Sequence, residues 1–165
     1  MGTMKGQSSK LNQDQLLYLE KMGIYFEREG FPRMAGRIFA LLLTDPGGQL
    51  SASDIVAKIH VSRGSVSTMT RFLIERGLVE KTGSPGKRED LFRLKPDALS
   101  AMFAQRVSAV QEFRELLQTG LRMTDPKSPN SRYMAEMADF YNWMESRMPE
   151  LWKEWEENRN KKSSG

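Results

Sequence analysis

The chain has 165 residues, with 25 Lys+Arg against 21 Asp+Glu and no cysteine. That length allows one domain with a sizeable core, or a small domain carrying helical arms. Disulfide frameworks and thiolate metal sites are excluded, no apolar run approaches the roughly 20 residues of a membrane span, and the N-terminus lacks the hydrophobic core of a signal peptide, so a soluble cytoplasmic protein is expected.

Met1–Lys10 is polar and contains Gly and Ser, so residues 1–11 read as a disordered tail. Asn12 or Asp14 starts a first helix, in which Leu16, Leu19, Met22/Gly23 and Phe26 keep helical spacing up to Gly30. Leu17, Tyr18, Ile24 and Tyr25 make its apolar surface broad, as expected of a helix with more than one neighbour. Phe31-Pro32 separates it from a second helix, Pro32 or Arg33 to Thr44, whose Ile38, Leu41 and Leu42 can pack inward. Arg33 and Arg37 can approach DNA or the preceding helix, and structural ion pairing is the role expected of them. Asp45-Pro46-Gly47-Gly48 is a turn, and Gln49-Leu50 can add a short strand.

Ser51 is a candidate N-cap with Asp54 three residues on, the capping-box spacing. Ile55, Val56 and Ile59 follow as an inward stripe, and the chain turns at His60-Val61. Ser62 caps the next helix, with Val61 and Val66 placed as a hydrophobic staple. Val66, Met69, Thr70 and Leu73 share its inner face, which leaves Arg63, Ser65, Ser67, Thr68 and Arg71 outside. Guanidinium groups and short hydroxyls on one helix face suit a major groove, where Arg bonds guanine bidentately and Ser or Thr reaches bases or phosphates. Gly64 adds little bulk where backbone can approach a phosphate. Gly77 is placed to end the helix as a left-handed residue.

Leu78–Lys81 and Leu91–Leu94 read as two strands around a Gly83-Ser84-Pro85-Gly86 turn, with Lys87 and Arg88 able to reach a phosphate backbone or a minor groove. Glu89 or Asp90 is expected to orient Lys87 or Arg88. Helix, turn, helix and hairpin together make a winged helix-turn-helix. Charge agrees: Ser51–Lys95 holds nine basic and five acidic residues, leaving sixteen of each elsewhere, so the whole excess of +4 falls on this segment.

These residues resemble a family. Gly30–Arg37, Leu50-Ser51-Ala52, Val61–Ser67 and the Pro85–Asp90 wing look like a MarR-type winged-helix regulator, and more narrowly are similar to the branch named for the glycine-betaine regulator, GbsR. The resemblance covers roughly Gly30–Lys95. It implies a dimeric DNA-binding transcriptional regulator in the cytoplasm; a repressor is expected, and two-fold symmetry would set it on a pseudo-palindromic operator. It also implies an effector that shifts the spacing of the two recognition helices.

After the wing, Pro96-Asp97 opens a long helix to about Leu121 or Met123, and Asp125–Asn130 reads as a linker that two prolines keep from being helical. From Ser131 to about Asn158, Met134, Met137, Tyr141, Met144, Met148, Leu151 and Trp155 repeat at 3-4 spacing, a heptad pattern that Pro149 should kink or restart. Residues 159–165 should fray. The organisation expected is therefore an N-terminal dimerisation helix at 12–30, a winged helix at 31–95, and a helical dimerisation and effector region at 96–158, in a mainly α fold with a small β-wing.

Two constellations remain. Tyr133, Phe140, Tyr141, Trp143, Trp152 and Trp155, with nearby methionines, suit a dimer seam first, since Met fills irregular gaps. They could instead cage a quaternary ammonium such as choline, the ligand class that the GbsR likeness implies. His60 is the single histidine and has no cysteine to join it, so a capping or phosphate-facing role fits better than catalysis or metal binding. Glu154, Glu156 and Glu157 read as a solvated face. No nucleophile–base pair, nucleotide loop or metal cluster is visible, so neither an enzyme nor a cofactor is expected. The alternative to a DNA-binding regulator is a winged-helix module that binds protein.

Overall fold

The computed structural model describes residues 10–83 and 90–163. Lys87, Arg88 and Glu89, the Ser84-Pro85-Gly86 part of the turn and residues 1–9 of the N-terminal tail lie outside the described residues. The chain divides into two compact units between Met102 and Phe103.

The first unit holds α1 (Gln13–Arg28), α2 (Arg33–Thr44), β1 (Leu50–Ser51), α3 (Ala52–Ile59), α4 (Arg63–Glu75), β2 (Val79–Thr82) and β3 (Leu91–Leu94). Local chemistry sets each start. Asn12 caps α1 reciprocally: its N–H donates to Gln15 Oε1 at 2.9 Å, and Gln15 N–H donates to Asn12 Oδ1 at 2.8 Å. Ser51 and Asp54 close the expected capping box on α3, with Asp54 N–H donating to Ser51 Oγ at 3.1 Å and Ser51 N–H donating to Asp54 Oδ2 at 3.1 Å. Ser62 Oγ accepts from Ser65 N–H at 3.1 Å at the head of α4. Three left-handed residues end helices: Gly30 after α1, at φ +81°, His60 after α3, at φ +52°, and Gly77 after α4, at φ +70°.

The sheet is antiparallel in the order β1-β3-β2. The short strand expected beside Leu50 is present, paired Leu50 to Phe92 and Ser51 to Leu91. Lys81 stands opposite Phe92 on the other side of β3. The core gathers Leu19, Phe26, Ile38, Leu41, Ile55, Val66, Leu73 and Val79, all buried, from α1 to α4 and β2. Val61 packs against this core, as its role in the staple requires.

α1 and α2 cross where glycine allows it. A Cβ on Gly36 would lie 2.7 Å from Phe26 Cβ and 2.8 Å from the Met22 carbonyl. One on Gly23 would lie 3.0 Å from the Arg33 carbonyl. Glu20 then receives both arginines of α2, Arg33 Nη2 at 2.9 Å and Arg37 Nε at 2.7 Å. That is the structural ion pairing expected of them.

α5 (Ala98–Met123) begins in the first unit and continues into the second, which it forms with α6 (Pro129–Ser163). Here three sequence expectations are corrected. Helix begins at Pro129, inside the expected linker. Proline fits a first helical position, and Ser128 Oγ accepts from Asn130 N–H at 3.1 Å and Ser131 N–H at 3.3 Å. Pro149 does not break α6, which is helical through it. A proline removes one N–H, from the bond to the Glu145 carbonyl, and the long helix on either side holds the register. The expected fraying from 159 is also replaced by helix as far as Ser163, where Lys161 and Lys162 suit the negative helix end.

Candidate nucleic-acid interface

α4 sits in the first unit with Val66, Thr70 and Leu73 buried. The Thr70 hydroxyl spends its polarity within the helix, donating to the Val66 carbonyl at 2.8 Å. The opposite face carries the residues assigned to DNA. Ser62, Arg63, Ser67, Thr68 and Arg71 are exposed, and Ser65 is half-buried. All six are thus brought to one continuous outer surface over the first two and a half turns of α4. Arg63 is partly tethered, its Nη2 donating to Ser53 Oγ of α3 at 3.2 Å. Arg71 reaches out from mid-helix.

The sheet flanks this surface. Glu80 and Arg93 pair across the strands at 2.6 Å on its outer face. Asp90 pairs with Lys81 at 2.7 Å. The expected partners of Asp90, Lys87 and Arg88, lie outside the described residues, and the Lys81 pair is one that sequence reasoning missed. His60 is exposed at the turn between α3 and α4. Among the described residues no cluster of His, Cys, Asp or Glu could hold a metal ion.

A second missed feature seats the C-terminal end of α4. The Arg76 guanidinium lies 5.2 Å from the Phe31 ring centre and 5.1 Å from that of Phe72. Phe31 meets Phe72 edge-on at 5.8 Å and Phe26 at 5.7 Å. This cation–π stack ties the end of α4 to the corner between α1 and α2. The Phe72/Arg76 spacing of four residues was the local signal for half of it. Phe31 has no such signal.

In the second unit the six aromatic residues separate onto two faces of α6. Tyr141 meets Phe113 of α5 with ring centres 4.8 Å apart, and Trp152 meets Phe103 at 4.8 Å. Tyr133, Phe140, Trp143 and Trp155 are exposed, with Phe140 and Trp143 6.0 Å apart. The heptad residues divide too: Met134, Tyr141, Met144 and Met148 are half-buried, whereas Met137, Leu151 and Trp155 are exposed. Polar locks reinforce the packed face. Arg114 Nε donates to Glu145 Oε2 at 2.5 Å and Gln111 Nε2 donates to Glu145 Oε1 at 3.0 Å. These hydrogen bonds, that from Arg114 foremost, hold the Glu145 carboxyl below the usual range. An open cavity of about 400 Å³ beside them is lined by Gln111, Arg114, Asn142, Glu145 and Pro149 among others, and by none of the six aromatic residues.

Comparison with known proteins now decides the family. The model described as MmpR5-like MarR family transcriptional regulator matches residues 97–158, and the one described as MarR family matches residues 29–88. The HTH-type transcriptional regulator MmpR5 of Mycobacterium tuberculosis is 36% identical over 135 residues, 81% of each chain. The chain belongs to the MarR family of transcriptional regulators. The crystal structure of a transcriptional regulator is 32% identical, with a TM-score of 0.70 over 87% of this chain and 99% of that one. A MarR mutant from E. coli complexed with operator DNA is 15% identical, with a TM-score of 0.40 over 55% and 61% of the two chains. The fold is the DNA-binding winged helix of MarR-type regulators. No helix among the described residues is long and apolar enough to cross a membrane.

Proposed function

We propose that this MarR-family regulator is a cytoplasmic repressor that binds a pseudo-palindromic operator as a homodimer and is released by a small-molecule effector. The observation that supports it is the α4 surface itself: Arg63, Ser67, Thr68 and Arg71 are exposed, with Ser65 half-buried beside them, on a helix that buries Val66, Thr70 and Leu73. Arg71 and Arg63 read base edges, Ser67 and Thr68 add hydroxyl contacts, and Ser62 lies at the phosphate end of the helix. Lys87 and Arg88 hold the backbone or minor groove beside it.

Dimerisation is supported by apolar surface. In α6, Tyr133, Met137, Phe140, Leu151 and Trp155 are exposed and fall on one helical stripe. In α1, Leu16, Leu17 and Tyr25 are exposed as well. Apolar surface of that extent is characteristic of an interface. A two-fold dimer sets its recognition helices into successive major grooves, about 34–36 Å apart.

The choline reading belongs with the GbsR branch and stands or falls with it. Titration with choline and glycine betaine tests both: release of bound DNA supports them, and absence of heat with unchanged DNA affinity removes them. The operator model is tested by footprinting. Two protected half-sites one helical turn apart are expected, and a single unpaired half-site would contradict the dimer.

A further inference from the structure

An open groove of about 360 Å³ runs between α4 and the sheet. Arg63, Ser67 and Arg71 line it from the helix, and Lys81, Asp90 and Phe92 line it from the strands. Lys81 stands opposite Phe92 on one face of the sheet, and Asp90, just before β3, reaches the same face through its bond to Lys81. Phe92 is buried, which marks that face as the one turned toward the helices. Among the described lining residues Arg63, Arg71 and Lys81 are cations and Asp90 is the only acid. Asp90 is bonded to Lys81 at 2.7 Å.

We propose that this groove seats one backbone phosphate of the DNA, and that Lys81 is its ligand, held in place beforehand by Asp90. The inference rests on the DNA-binding reading of α4 and adds a site to it. Cations from two elements converge where the backbone flanking a helix in the major groove must pass. The Lys81–Asp90 pair is weak enough to exchange, because its side chains are 53% and 55% exposed and water screens them. A phosphodiester oxygen has the same charge as the carboxylate it displaces and brings counterion release with it. Asp90 therefore acts as a stand-in for phosphate. It keeps the lysine aimed into the groove in the free protein, at the cost of competing for it.

The test uses the full chain, two duplexes of equal length (the DNA upstream of its own gene, and a scrambled sequence) and a salt series. Lys81→Gln should lower affinity for both duplexes alike, by roughly fivefold at 0.15 M salt, and reduce the slope of log affinity against log salt by about 0.9, the value of one phosphate contact. Lys81→Arg should keep the slope. Asp90→Asn should tighten both duplexes several-fold, and this gain should vanish when Lys81→Gln is already present. An unchanged slope in Lys81→Gln, with wild-type binding intact, would overturn the phosphate seat alone. Equal tightening by Asp90→Asn with and without Lys81 would overturn the role of Asp90. Wild-type protein with no salt-dependent affinity for either duplex would overturn the DNA reading itself. Thermal melting of each variant identifies a fold defect, in which case the Lys81→Arg slope decides: a slope reduced by about one would contradict the seat.

Discussion

Arg71 and Gly36 show two kinds of single-residue constraint, one facing out and one facing in. Arg71 is exposed at mid-helix on the outer face of α4. If it makes a bidentate contact with guanine, Arg71→Ala costs about 1–3 kcal/mol of specific binding and relaxes preference at one base position. Competition binding with single-base variants of the operator measures this, and an equal loss on every sequence would reassign Arg71 to phosphate. Gly36 lies where two helices touch through backbone. Gly36→Ala would place its methyl within 2.8 Å of both Phe26 Cβ and the Met22 carbonyl. Forcing α1 and α2 apart should destabilise the fold by about 1–3 kcal/mol, as other overpacked sites do. Chemical denaturation reads that directly, and an unchanged midpoint would contradict the close crossing.

The elements differ in how much of them could be read from the sequence. Starts were legible because their determinants are local: Ser51 with Asp54, and Ser62 with Ser65, each lie within one turn. The outer face of α4 was legible for the same reason, since a period of 3.6 sorts residues without reference to the rest of the chain. What escaped was non-local. The heptad pattern in α6 mixed two stripes, because it did not show which residues α5 would cover. Phe113 takes Tyr141 and Phe103 takes Trp152, while Met137 and Leu151 stay outside. The fresh helix start expected at Pro149 does not occur, because a 35-residue helix outweighs one lost N–H. The partners Arg114 and Glu145 are 31 residues apart and had no sequence signal.

That last pair carries a pH dependence. The Glu145 carboxyl is held below its usual range by hydrogen bonds from Arg114 and Gln111. A depressed carboxylate contributes stability above the unfolded pKa, near 4.3 for Glu, and loses it as pH falls through the lower folded value. The α5–α6 pairing should therefore be unaffected from neutral pH down to about 5 and loosen below about 4. Trp152, which packs on Phe103 across the same two helices, is a natural fluorescence reporter. Glu145→Gln should flatten the acid limb of that transition, and an identical limb in the variant would assign it to other carboxylates.

At the scale of the whole molecule, charge and apolar surface are apportioned to different tasks. The excess of positive charge lies in Ser51–Lys95, while the exposed aromatic stripe lies on α6. Phe140 is 54% exposed on that stripe and meets its nearest aromatic neighbours within α6 itself. Phe140→Lys should leave the monomer folded and shift the dimer toward monomer in light scattering, with operator affinity lost in parallel because two half-sites no longer bind as one. A variant that remains dimeric would place the interface elsewhere.

The central claim, that this chain reads a DNA sequence through α4, is met most directly by fluorescence anisotropy. The probe is a labelled duplex from upstream of the protein's own gene, at physiological salt, against a scrambled duplex of equal length. Tight binding to the upstream duplex is expected, about 10³-fold or more tighter than to the scrambled one. Weak and equal binding to both would contradict it, leaving a basic surface without a sequence to read.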